Sequence, residues 1–133
     1  MDQPEMRSFE DFWPFYVRAH ANETNRTLHF VGLSLAMGSV AVGLLTRRPG
    51  FFLAAPVLGY GFAWIGHFGV EGNTPATFGH PLWSLRGDFE MWWKIATGTM
   101  TAEVERVMKS NGVEPSAPEE EAAPGTTRAA QSN

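Results

Sequence analysis

The 133-residue chain has no cysteine. This excludes a disulfide framework, a thiolate metal site and a cysteine nucleophile, so a bound metal must rely on His, Asp, Glu or backbone ligands. A basic excess is also missing: 10 Lys plus Arg face 14 Asp plus Glu, for a net charge of −4. Nothing in that balance points to nucleic acid. Residues 1–26 are acidic and polar and have neither the apolar core nor the small-residue cleavage site of a secretory signal, so they are not read as one. The length fits one domain, expected over residues 1–110. The mean hydropathy of −0.17 resembles that of a soluble protein, but an average hides distribution.

The most telling absence is local. Residues 27–46 are twenty positions without Asp, Glu, Lys or Arg, and residues 49–70 are another twenty-two. A hydrocarbon core of about 30 Å needs about 20 residues of helix, so both runs are candidate transmembrane helices, over about 27–46 and 50–70. Gly32, Gly38 and Gly43 in the first run are small residues of the kind that let membrane helices approach closely. Pro56, Gly59, Gly61 and Gly66 in the second are tolerated better in membrane helices than in soluble ones. Between the runs stands Arg47-Arg48-Pro49-Gly50, charged and turn-forming. A helical hairpin follows. The alternative, a soluble bundle that buries both helices on all sides, lacks the material to cover them in so short a chain.

The flanks read as amphipathic helices. Ser8 followed by Asp11 resembles a helix start, and Phe9, Phe12, Trp13 and Tyr16 then recur at helical spacing, suited to a membrane interface or to packing. Pro14 is either the first residue of that helix or a kink within it. After Asp88 a second segment places Phe89, Trp92, Trp93, Ala96, Met100, Val104 and Val107 on one side. Residues 111–133 are Pro, Ala, Glu, Ser and Thr with almost no large apolar residue, which predicts a disordered C-terminal tail. The expected fold class is all-α: a membrane hairpin flanked by amphipathic interfacial helices.

Four histidines give this layout chemical meaning. Measured from the turn centre, His29 lies 19.5 residues before and His67 lies 18.5 residues after. At about 1.5 Å rise per residue the two share a depth on antiparallel helices, at the same end of the hairpin as His20 and His80. All four can meet at one membrane face. A nitrogen-rich site with few carboxylates suits iron, zinc, copper or nickel rather than magnesium or calcium. Glu71, four residues after His67, shares its helical face and is a candidate ligand or orienting group. Asn25, four before His29, and Arg26, three before it, are further candidates around the ligands. His20 and His29, nine apart, would point in opposite directions on an unbroken helix at about 100° per residue. A shared ion therefore requires a bend between Ala21 and Thr27.

The pattern His20-x-Asn22-x-x-Asn25-x-x-x-His29, then Gly66-His67-x-x-x-Glu71 followed by Pro75-Ala76, resembles the integral-membrane 2-hydroxy fatty acid dioxygenases of phytosphingosine breakdown. The resemblance covers about residues 8–100, and the stretch 75–88 is similar to that of a short branch of the family. It implies an iron(II) enzyme that uses O2 to shorten a 2-hydroxy fatty acid by one carbon at the bilayer. It also implies His20, His29, His67 and His80 as metal ligands, with Glu71 able to complete the site if His80 does not bind, and with Asn22 and Asn25 beside them. Arg26, Arg86 or Lys94 can pair with the substrate carboxylate, or serve as headgroup-facing cations.

Two other readings fit the residues. His29 and His67 at equal depth can be axial ligands of a haem in an electron-transfer protein. The hairpin can also be a non-catalytic lipid-binding element. Positive-inside counting sets Arg18, Arg26, Arg86 and Lys94 against Arg47 and Arg48, and so places both termini and the site in the cytosol, of either a bacterial inner membrane or endoplasmic reticulum.

Overall fold

The computed structural model describes residues 5–110, and the tail expected at 111–133 lies outside the described residues. Ser8 starts α1 (Phe9–Ala19) with a reciprocal capping box. Its hydroxyl accepts the Asp11 N–H at 3.2 Å, and the Asp11 carboxylate accepts the Ser8 N–H at 3.2 Å. Asp thus does the work more often done by Glu or Gln. Pro14 lies inside α1 rather than at its first turn.

The chain bends at residues 20–22, on the N-terminal edge of the stretch where a bend is required. His20 closes α1 through its N–H to the Val17 carbonyl at 3.0 Å, and Asn22 opens α2 (Glu23–Thr46) by accepting the Thr24 N–H at 2.8 Å. Arg47, in the left-handed region at φ 55°, turns α2 into α3 (Gly50–Trp64). The two pair as the expected hairpin. Ser39 adds a hydroxyl bond of 2.7 Å to the Phe51 carbonyl across it. Much of the outer surface of this pair is apolar: Leu44, Leu45, Leu53 and Val57 are all largely exposed.

Beyond Trp64 the helix continues as a π-helical segment, Ile65–Glu71, which ends on Gly72 in the left-handed region. Such segments widen the helix by one residue per turn and recur at functional sites. A short 3₁₀ turn, Ala76–Phe78, leads to α4 (Pro81–Ala96), and α5 (Met100–Ser110) follows. The amphipathic segment expected after Asp88 is thus two helices, broken at Gly98, whose φ of 73° disfavours helix continuation. Its residues do not share one face either. Met100 and Val107 are buried, whereas Phe89 and Trp93 face outward.

The main side-chain core lies beside the hairpin, not within it. Phe9, Phe12, Trp13, Tyr16 and Val17 from α1 pack with Met91 of α4 and Met100 and Val107 of α5. The aromatic stripe of α1 is a packing surface, and burial of each large ring contributes about 1.5–3 kcal/mol. α4 also crosses α2, where Trp92 stacks on Phe30 and donates to the Ser34 hydroxyl at 2.8 Å.

Glu103 ties α5 to α1. It accepts the Trp13 indole N–H at 2.6 Å and pairs with Arg106 at 2.6 Å. The bond to Arg106, reinforced by Trp13, holds its carboxyl down from 4.5 to about 2. A depressed carboxyl contributes its stability above the unfolded value and loses it as pH falls through the folded one. The contact between α5 and α1 is therefore expected to persist well below pH 4.5 and to loosen towards pH 2, whereas in Glu103→Gln it should show no such dependence. Amide hydrogen exchange in α5 across pH measures this.

Candidate metal centre

Three of the four histidines converge. The His20 and His29 ring centroids are 4.5 Å apart, those of His20 and His67 are 4.6 Å apart, and those of His29 and His67 are 5.0 Å apart, all edge to face. One nitrogen from each lies within 4.8 Å of the others, and all three residues are buried. Each ring arrives by a separate route: His20 from the end of α1, His29 from the second turn of α2, and His67 from the π-helical segment. The helix break at residues 20–22 lets His20 and His29 face one point.

The hydrogen bonds decide which nitrogen of each ring is free. His20 Nδ1 lies 2.7 Å from the Tyr16 carbonyl, which can only accept, so Nδ1 carries the proton. His67 Nδ1 lies 2.7 Å from Asn73 Oδ1, and the orientation of that amide is fixed because its Nδ2 donates to the Ala19 carbonyl at 2.9 Å. His29 Nδ1 faces the Asp88 carboxylate at 3.2 Å. All three Nε2 atoms are left as lone-pair donors. Those of His20 and His29 are buried with no hydrogen-bond partner. Unpartnered buried acceptors are costly, and a cation shared among them would supply the missing interaction. Burial, followed by the neighbouring His29 and His67, holds the His20 imidazole well below its usual range and so neutral, the form that ligates metals. The donor set could therefore hold a metal ion.

His80 does not join this group. It stands before α4 and stacks on Trp83, with ring centroids 4.9 Å apart, and its edge meets Phe12. Position along the chain places it at the correct end of the hairpin, but the turn at residues 76–80 directs the ring into the α1–α4 packing. Glu71 accepts the Asn22 N–H at 3.1 Å and the Asn25 Nδ2 at 3.4 Å, so it joins α2 to the π-helical segment. Asn25 is fully buried against Gly66, where an added Cβ would lie 2.0 Å from Asn25 Oδ1. This close approach requires glycine and seats His67 beside α2. Arg26 is buried and donates to the His20 and Ala21 carbonyls at 2.9 and 2.6 Å, capping the end of α1. Arg86 lies over the Phe9 ring at 3.8 Å. Lys94 pairs with Glu90 at 3.7 Å.

Sequence reasoning did not single out Tyr16, Asn73 and Asp88 as site residues. Tyr16 stands four residues before His20 and therefore shares its helical face, a signal available in the sequence. Asp88 lies eight residues beyond His80 with no periodic link to the hairpin, and only the fold brings it to His29.

An apolar groove of about 510 Å³ runs from His29 and Asp88 along the hairpin, between Leu33, Ala36 and Val40 of α2, Ala55, Gly59 and Ala63 of α3, and Leu85 and Phe89 of α4. Its small-residue floor on α3, spaced by four, leaves the room. His29 and His67 share a further hollow at the head of this groove with Tyr60, Ser84 and Asp88.

A model of the 2-hydroxy-palmitic acid dioxygenase Mpo1-like family matches residues 6–100. The chain belongs to that family. The match takes in every element that carries the histidine cluster, from α1 to the π-helical segment, as well as α4 with Asp88, and ends at the start of α5. Comparison with curated proteins and with solved structures gives no match. The Mpo1-like family is named for a dioxygenase of a hydroxylated fatty acid, and a three-histidine group that can hold a metal at the head of an apolar groove is compatible with that name.

Proposed function

We propose that this protein is an iron(II)-dependent dioxygenase of the membrane that shortens 2-hydroxy fatty acids by one carbon, with His20, His29 and His67 as the metal ligands. The observation that carries this reading is the convergence of three imidazoles, each with Nδ1 engaged, at the mouth of an apolar groove. The conversion R–CH(OH)–COOH plus O2 to R–COOH, CO2 and water balances without an external reductant. Held by His20, His29 and His67, iron(II) would supply the O2 chemistry and an electrostatic attraction for the oxygen-rich head of the substrate. The chain's own residues do the rest. Tyr16, Asn73 and Asp88 fix the imidazoles, and the groove takes the acyl chain and keeps water from the reacting end. A haem reading is less well supported, because three mutually edge-on rings about 5 Å apart leave no slab between them for a macrocycle.

Membrane insertion is part of the proposal. The spans Glu23–Thr46 and Gly50–Glu71 have hydropathies of 1.9 and 1.4, yet only 22% and 17% of their apolar windows are buried within the protein. In a soluble core helix that share would be high, so the low value supports lipid as the cover for the rest. The count of Arg and Lys at the two ends of the hairpin supports a cytosolic side for the site.

The deciding experiment is anaerobic purification in detergent, metal analysis, and O2 uptake with 2-hydroxy fatty acids. About one iron per chain and equal release of CO2 and the shortened acid are expected. Iron-loaded protein that consumes no O2 with any chain length would overturn the reading, and a stoichiometric Soret band would favour haem.

A further inference from the structure

Tyr16 touches the supports of two different histidines. Its backbone carbonyl accepts from His20 Nδ1 at 2.7 Å, and its ring stacks on the same imidazole with centroids 4.0 Å apart. Its hydroxyl, fully buried, donates to Asp88 Oδ1, the same oxygen that faces His29 Nδ1. One residue of α1 is therefore tied to the end of α1 by its carbonyl and its ring, to α4 by its hydroxyl and, through Asp88, to α2. Gly87 makes this possible: a Cβ there would stand 2.9 Å from the Tyr16 ring. α4 meets α1 closely enough for Asp88 to reach the phenol only because residue 87 has no side chain.

The chemistry suits an orienting role. Asp88, as an acceptor-only carboxylate, needs donors on its Oδ1 to hold one rotamer, and Tyr16 and His29 supply them from two sides. The Tyr16 hydroxyl is buried and directed at that carboxylate as a donor. A carboxylate on the far nitrogen of a ligating imidazole fixes its ring and raises its basicity, and loss of such a partner typically costs 10–100-fold in metal affinity.

We infer that Tyr16 and Asp88 form a positioning relay that holds His29 and His20 in ligating geometry, so that docking of α1 on α4 sets the metal affinity of the centre. This rests on the three-histidine metal reading, and the test separates the two. Tyr16→Phe, which keeps the carbonyl and the ring, and Asp88→Asn are purified as full-length protein in detergent. Cobalt(II) affinity is measured by chelator competition, together with the cobalt visible spectrum and the thermal melt of the metal-free protein. Each variant is expected to bind cobalt 10–100-fold more weakly than wild type, with altered visible bands. The double variant should be no worse than Asp88→Asn alone, since the two residues act in one chain.

A purely structural role would lower the melt while leaving affinity and spectrum unchanged, and that result overturns the inference while the metal reading stands. Wild-type protein that takes up neither iron nor cobalt overturns the metal reading itself, and the inference with it. If Tyr16→Phe fails to fold, the affinity and spectrum of Asp88→Asn decide alone.

Discussion

Replacing His67 with alanine is expected to remove stoichiometric iron from the purified protein and abolish O2 consumption, whereas His80→Ala should leave metal content unchanged. Removing one of three nitrogen ligands costs more than loss of an orienting partner, so affinity should fall by well over the 10–100-fold typical of the latter. His67 is also the most exacting of the three to replace. Its position depends on the π-helical segment, on the Asn73 bond at 2.7 Å and on the contact of Gly66 with Asn25. His80 has none of these supports, and its ring is engaged by Trp83 and Phe12. Iron analysis of the two variants side by side checks the assignment. Retention of one iron per chain in His67→Ala would sink the three-histidine centre, and loss of iron in His80→Ala would restore a fourth ligand.

The contrast between these two histidines shows what the sequence could reveal. Two charge-free runs of bilayer length, separated by Arg47-Arg48-Pro49-Gly50, define the hairpin, because helix rise turns residue counts directly into depth. The same arithmetic brings His29 and His67 level, and the angular argument that forbids His20 and His29 on one straight helix demands the break found at residues 20–22. Depth alone cannot say which way a ring points. His80 satisfies the depth condition, but the turn before α4 directs it elsewhere.

Arg26 illustrates a second limit of sequence position. A cation three residues before a candidate ligand looks available to a substrate carboxylate. In the structure it is occupied by the carbonyls that end α1, which must be satisfied by some donor. Asp88 and Asn73 were illegible because their contacts join elements far apart in sequence or cross a left-handed glycine, where no helical period applies.

The groove makes the other large prediction. Val40 lies eleven residues beyond His29, which at 1.5 Å per residue gives a groove of about 16 Å. Ala36 lies seven beyond, or about 10 Å from the histidine. An extended chain with C–C bonds of about 1.5 Å advances about 1.3 Å per carbon, so a ring projecting from position 36 would stop it after roughly eight carbons. Ala36 packs directly on Gly59 at the floor of the groove, since a Cβ on Gly59 would lie 3.7 Å from the Ala36 Cβ, an ordinary contact, so a larger side chain at 36 must rise into the groove. The site has little slack for a phenyl group and a substrate together.

Ala36→Phe is therefore expected to lower kcat/KM for a sixteen-carbon 2-hydroxy acid while sparing an eight-carbon one. Hydrocarbon burial from water would suggest a large penalty, about 0.8 kcal/mol for each methylene displaced. Here the tail starts in lipid or detergent, which is as apolar as the groove, so that term nearly cancels. What remains is steric: the chain must leave the groove sideways, and the head loses its alignment with the metal. A selective loss of about tenfold or more for the long substrate follows, one that appears in discrimination between chain lengths and not in metal content. Leu35→Phe, on the same helix but outside the groove lining, should leave the ratio unchanged. If Ala36→Phe lowers activity equally for both lengths, the acyl chain does not lie in this groove, and its path must be sought on the other side of Tyr60.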